Sequence, residues 1–101
     1  NQIIECTVNT GNFEYISALP FSISSPINIS YDGDKLTFVA HNNIYLFNIN
    51  TRAYFKLTDF DHHDSSIIGA PVFSRKDDKI AFNQFCDNEE NKSVQIKLIS
   101  L

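Results

Sequence analysis

The residues best able to do chemistry lie in one short run, Asp59-Phe60-Asp61-His62-His63-Asp64. Carboxylates and imidazoles at this density could hold a cation, or could change charge between about pH 5 and 8. The spacing argues against the cation. On an extended chain neighbouring side chains point to opposite sides, so His62 and His63 make a poor chelating pair, and closed metal sites draw their ligands from separate elements. Asp61, His62, His63 and Asp64 are therefore read as candidates for a binding face, with no metal and no cofactor expected. Elsewhere the sequence has no Gly-x-Ser-x-Gly elbow, phosphate loop or His-Glu-x-x-His pattern. No catalytic residue is expected, and the chain is read as non-enzymatic. Cys6 and Cys86 are far apart and belong to no CxxC or Cys/His grouping, so neither a disulfide framework nor a zinc site is signalled. Cys6, in a strand, is expected in the core.

Positioning such residues falls to strands. The stretch Ile27-Asn28-Ile29-Ser30-Tyr31-Asp32-Gly33-Asp34-Lys35-Leu36-Thr37-Phe38 reads as strand, Asp-Gly turn and strand. It returns as Pro71-Val72-Phe73-Ser74-Arg75-Lys76-Asp77-Asp78-Lys79-Ile80-Ala81-Phe82, where Ser30 and Ser74 mark a spacing of 44 residues. Periods of this size belong to repeat architectures, including four-stranded propeller blades. After the first copy, residues 44–49 and 54–58 read as a third and a fourth strand joined by Asn50-Thr51-Arg52-Ala53. The opening of the chain matches that second half, because Asn9-Thr10 recurs as Asn50-Thr51, and residues 96–101 match the third strand. Two strands, then four, then three are expected, and no segment has helical periodicity. Leu36, Phe38 and Ala40 should share one face.

Composition sets outer bounds. Nine Phe and four Tyr, with no Trp or Met, suit pleated sheets. A net charge of −4 with scattered basic residues argues against a nucleic-acid partner. No apolar run approaches the ~20 residues that cross a bilayer, so no membrane span is expected. The sequence opens at Asn1 without a basic-then-apolar leader, which fits a mature secreted product, a trimmed chain or a piece of a longer one.

Ser30, Asp32, Gly33, Lys35, Leu36 and Phe38, then Ile44-Tyr45 and Lys56-Leu57-Thr58, resemble the TolB-type (WD-like) β-propeller repeat, with a second copy at Pro71, Phe73-Ser74, Lys79-Ile80 and Phe82. That copy departs from the pattern by placing Lys76-Asp77 where the first has Asp32-Gly33. The resemblance implies an all-β chain of about two four-stranded antiparallel blades of a larger propeller. Residues 1–19 would be the last two strands of one blade, 27–58 a complete blade, and 71–101 the first three strands of a third. It also implies a protein–protein interaction scaffold, in a bacterial envelope, periplasmic or secreted. The partners would be other blades, from the same longer chain or another subunit, and a protein. Alternatives are the substrate-gating propeller of a hydrolase such as a prolyl-oligopeptidase-like peptidase, or an oligomeric lectin-like glycan binder. In such folds the loops at 41–43, 59–69 and 83–93 would gather on the binding face, which adds His41 and Phe85 to the candidate residues.

Overall fold

The structure, a computed structural model, describes residues 2–7, 9–60, 67–87 and 92–101. The chain is all-β and antiparallel throughout, with no helix among the described residues. Strands β1 (Gln2–Thr7) and β2 (Asn12–Ala18) form a two-stranded sheet. Strands β3 (Asn28–Ile29), β4 (Lys35–Ala40), β5 (Asn43–Asn48) and β6 (Tyr54–Lys56) form a four-stranded sheet in sequence order. Strands β7 (Ile67–Phe73), β8 (Lys79–Asp87) and β9 (Lys92–Ser100) form a three-stranded sheet. None of the three sheets closes on itself.

Period-two alternation gives the middle sheet two apolar faces, and each is covered by a neighbour. Leu36, Phe38 and Ala40 on β4, with Tyr45 and Phe47 on β5, pack against Ile16 and Leu19 from the first sheet and its exit. The alternate residues Val39 and Ile44 pack on the other side against Ile68, Phe73, Ile80 and Phe82 of the third sheet. Thr37 shares that second face and is fully buried, with its hydroxyl donating to the Tyr45 carbonyl at 2.9 Å. Burying a hydroxyl without a partner would cost about 1–3 kcal/mol, and here the bond removes that cost.

The two copies of the repeat form the same turn. Ser30 N–H donates to Lys35 O and Gly33 N–H to Ser30 O; Ser74 N–H donates to Lys79 O and Asp77 N–H to Ser74 O. In each copy the serine hydroxyl also accepts from the lysine N–H, at 2.9 Å in the first and 3.0 Å in the second. Gly33 and Asp77 are the equivalent residues, both left-handed at φ 79° and 59°. The equivalence extends downstream, because Ile49 N–H donates to Asp34 O as Leu101 N–H donates to Asp78 O.

Three local features differ from the sequence expectation. The anticipated loop at 83–93 is largely an extension of the β8–β9 hairpin, paired without a break from Lys79↔Ser100 to Asp87↔Lys92. Alternation carries the ladder past the point where the first copy turns at His41. Strand β7 begins at Ile67, four residues before Pro71, with a register shift between Gly69 and Val72 that accommodates Pro71 and a left-handed Ala70 (φ 50°). Proline lacks a donor and is tolerated at such a shift on an edge strand. Cys6 is exposed and not in the core, because only one face of the β1–β2 pair is covered.

Phe38 is fully buried and Phe82 nearly so, each at the same position of its repeat but in successive cores. Phe38→Ala and Phe82→Ala are each expected to destabilise by ~3–5 kcal/mol in urea unfolding, the usual cost of emptying a buried phenyl site. Losses under ~1 kcal/mol at both would mean that the wrong faces have been assigned to the cores.

Candidate functional site

Three regions carry side chains arranged for more than filling space: the hairpin ends near His41, the paired turns, and the outward face of the third sheet. At the first, His41 and Asn42 both have positive φ, 50° and 57°. Two consecutive left-handed residues make the tight hairpin whose twist matches its strands. The next residue, Asn43, is buried and ties down the chain after β6. Its Oδ1 accepts from the Thr58 hydroxyl and from Phe60 N–H, both at 2.7 Å, and its amide donates to the carbonyls of His41 and Phe60 at 3.3 Å. Asn42 Oδ1 accepts from Ile68 N–H at 2.9 Å and so links this turn to the third sheet. His41 is exposed, and its ring meets Phe21 edge-on at 5.8 Å between centroids. Phe21 also packs on Tyr45 and on the half-exposed Tyr54, at 4.8 and 5.4 Å. His41 thus caps an aromatic cluster at the margin of the first core.

Of the other residues singled out from sequence, Asp61, His62, His63 and Asp64 lie outside the described residues. Phe85 is half-buried in β8, opposite Ile67 on one side and Val94 on the other, so it belongs to a sheet face and not to a loop with His41. Among the described residues no group of three His, Cys, Asp or Glu side chains converges to hold a metal ion.

The two repeat turns are in direct contact, a pairing that neither spacing nor residue type reveals in the sequence. The Asp77 carboxylate accepts Tyr31 N–H at 2.8 Å and Asp32 N–H at 2.9 Å, one on each oxygen. In the sequence Asp77 is only a departure from the Gly33 pattern. The substitution has a positive reason: the side chain that glycine lacks reaches across to the neighbouring turn and satisfies two donors there. Asn28 makes a parallel link, its Oδ1 accepting Phe73 N–H at 2.9 Å. Within each turn a carboxylate is held in its ionised form. The Ser30 hydroxyl, then Asp34 N–H, and the Lys35 charge hold Asp32 below the ordinary 3.8, and the Ser74 hydroxyl with Lys79 does the same for Asp78.

The outward face of the third sheet is apolar and open. Ile67, Val94, Ile96 and Leu98 are 62–69% exposed, with Val72 and Phe85 beside them. They share the outward face of the sheet, and apolar residues grouped and exposed in this way are a feature of interaction surfaces. The chain matches no protein-family model and no curated protein sequence.

Two outcomes follow for the turns. Asp77→Gly keeps the left-handed geometry but removes both bonds to the neighbouring turn, and should cost roughly 1–2 kcal/mol in denaturant unfolding. A neutral result would make the contact incidental. Asp32 and Asp78 have lowered folded-state pKa values, so their contribution is present above the ordinary 3.8 and is lost as pH falls through the lower folded values. Thermal melts should therefore show stability falling below about pH 4, and the Asp32→Asn/Asp78→Asn variant should have a flatter acid limb than the parent chain.

Proposed function

We propose that the chain is a stretch of a TolB-like β-propeller and that it works as a non-enzymatic scaffold for protein–protein contact. One comparison between equivalent residues carries the reading. Ile44 on β5 is fully buried beneath the third sheet and Leu46 is half-buried there, while their counterparts Ile96 and Leu98 on β9 are 69% and 65% exposed. The third sheet has the same apolar chemistry on its outer side as the middle sheet has under its cover. A surface built this way favours another sheet as its partner, as stacked repeats cover one another.

The direction of stacking supports the same reading. The first sheet covers one face of the second, and the third covers the other, each interface using alternate residues of the strands concerned. The TolB-like resemblance favours a bacterial envelope or secreted setting, and no helix among the described residues is long and apolar enough to cross a membrane.

Size-exclusion chromatography with light scattering tests the proposal. The chain should associate in a concentration-dependent way, and Ile67→Lys/Val94→Lys, which charges the open face, should return it to a monomer. A parent chain that stays a thermally stable monomer at every concentration would overturn the reading.

A further inference from the structure

The sequence contains a single Asp-Gly pair, Asp32-Gly33, and no Asn-Gly pair, and such a pair can react with itself. The glycine nitrogen attacks the aspartate side-chain carbon, a cyclic succinimide forms, and the carboxyl hydroxyl leaves as water. Water then opens the ring at either carbonyl. One opening restores aspartate; the other gives isoaspartate, in which the main chain runs through the side-chain carbon and is one carbon longer. Glycine favours the attack because it puts no side chain in the way, and the space beside Gly33 is open, an added Cβ meeting nothing within 4 Å. The second copy has Lys76-Asp77 at the equivalent place and lacks the reactive pair.

Ring closure requires a protonated carboxyl, so that water can leave, and an Asp32 side chain turned onto the following peptide nitrogen. The fold opposes both. Asp32 Oδ1 accepts from the Ser30 hydroxyl at 2.7 Å and from Asp34 N–H at 2.9 Å, and Lys35 Nζ lies 3.6 Å from Oδ2. These partners favour the ionised carboxylate, which has no water to lose. The peptide planes on both sides of Asp32 are tied as well, since Gly33 N–H donates to Ser30 O at 3.0 Å and Asp32 N–H donates to Asp77 Oδ2 at 2.9 Å. That second tie comes from the neighbouring turn, whose other Asp77 oxygen holds Tyr31 N–H at 2.8 Å. Contact with the turn of the third sheet therefore completes the restraint on Asp32-Gly33.

We propose that Asp32-Gly33 is a latent self-modification site, shut while the two repeat turns are in contact and open once they part. Isoaspartate then accumulates in chains whose third sheet has come away from the first turn. The reaction needs no oxidant, cofactor or second protein, because one water is lost on closure and one is regained on opening. The product cannot resume the native turn. An extra main-chain carbon between residues 32 and 33 displaces the bond from Ser30 N–H to Lys35 O, and with it the register of β3 on β4. Separation of the sheets is thereby converted into a lasting covalent mark.

The test incubates the whole chain in heavy-oxygen water at mildly acidic pH, folded or in denaturing urea. Mass spectrometry then reads the peptide spanning residues 30–35, where each ring opening inserts one heavy oxygen and isoaspartate gives its own backbone fragments. The denatured chain should accumulate isoaspartate at position 32, and the folded chain should do so roughly tenfold more slowly, the worth of a hydrogen bond to a charged group. Gly33→Ala should slow the reaction in the denatured chain, which identifies the pair. Asp77→Gly, shown to be folded by circular dichroism, should react severalfold faster than the folded parent, and Asp77→Asn, which keeps one acceptor oxygen, should lie between them. If Asp77→Gly fails to fold, the Asp77→Asn comparison decides. Ile16→Ala loosens the first core and leaves both turns intact, and should stay at the parent rate while folded. Equal rates in the folded and denatured parent would overturn the proposal, as would Asp77 variants that remain at the parent rate or an Ile16→Ala chain as fast as they are.

Discussion

The two central strands of the middle sheet, β4 and β5, have no free face, and the rest of the structure follows from that. Phe38 and Phe47 lie fully buried on one side and Ile44 on the other, where Ile80 of the third sheet is also fully buried. A short four-stranded sheet with apolar residues on both faces cannot persist in water alone, since each large apolar side chain left exposed forgoes about 1.5–3 kcal/mol. The two-stranded and three-stranded sheets are the covers that make it possible. They in turn are apolar on the covered side, so each sheet depends on the next in line.

Polar groups at the two ends set how those sheets sit against one another. At one end Asp77 bridges the second turn to the backbone of the first, and Asn28 reaches Phe73. At the other end Asn42 reaches Ile68, while Asn43 gathers the chain after β6. Apolar packing alone tolerates sliding, because it is not directional. Bonds from a carboxylate or amide to named backbone donors are directional, and they use donors on edge strands and turns that have no ladder partner. Strand β7 shows this on its free side, where Ile68 N–H donates to Asn42 and Phe73 N–H donates to Asn28.

Strand type and location are legible in the sequence because they depend on local signals. Leu36, Phe38 and Ala40 alternate with Thr37 and Val39, and Asp32-Gly33 and Asn9-Thr10-Gly11 mark turns that need positive φ. The length of the β8–β9 hairpin is less legible, since polar Asn83, Gln84 and Gln95 resemble loop residues until a facing strand gives them partners in register. Cys6 is misread for a related reason: a strand pattern tells which residues share a face, but which face receives cover is decided by another sheet. The role of Asp77 is hidden in the same way. Its local signal is a glycine position filled by something else, and its purpose appears only when Tyr31 and Asp32 are brought within 3 Å by the fold. His41 and Phe85 show the limit for the candidate site. The sequence expectation places both on one loop-built binding face, whereas one caps the first core and the other lies on the outer face of the third sheet.

The central claim is that the middle sheet is the most deeply held part of the chain because it is covered on both faces. Residue-resolved native-state hydrogen exchange measures this directly, since amides that open only on global unfolding report the full stability and outer elements open earlier. Covered on both sides, the paired amides of β4 and β5 should exchange slowest, at the global rate, with those of β1–β2 and the outer part of β8–β9 faster. Slowest exchange in β8–β9, or equal rates across the three sheets, would contradict the account.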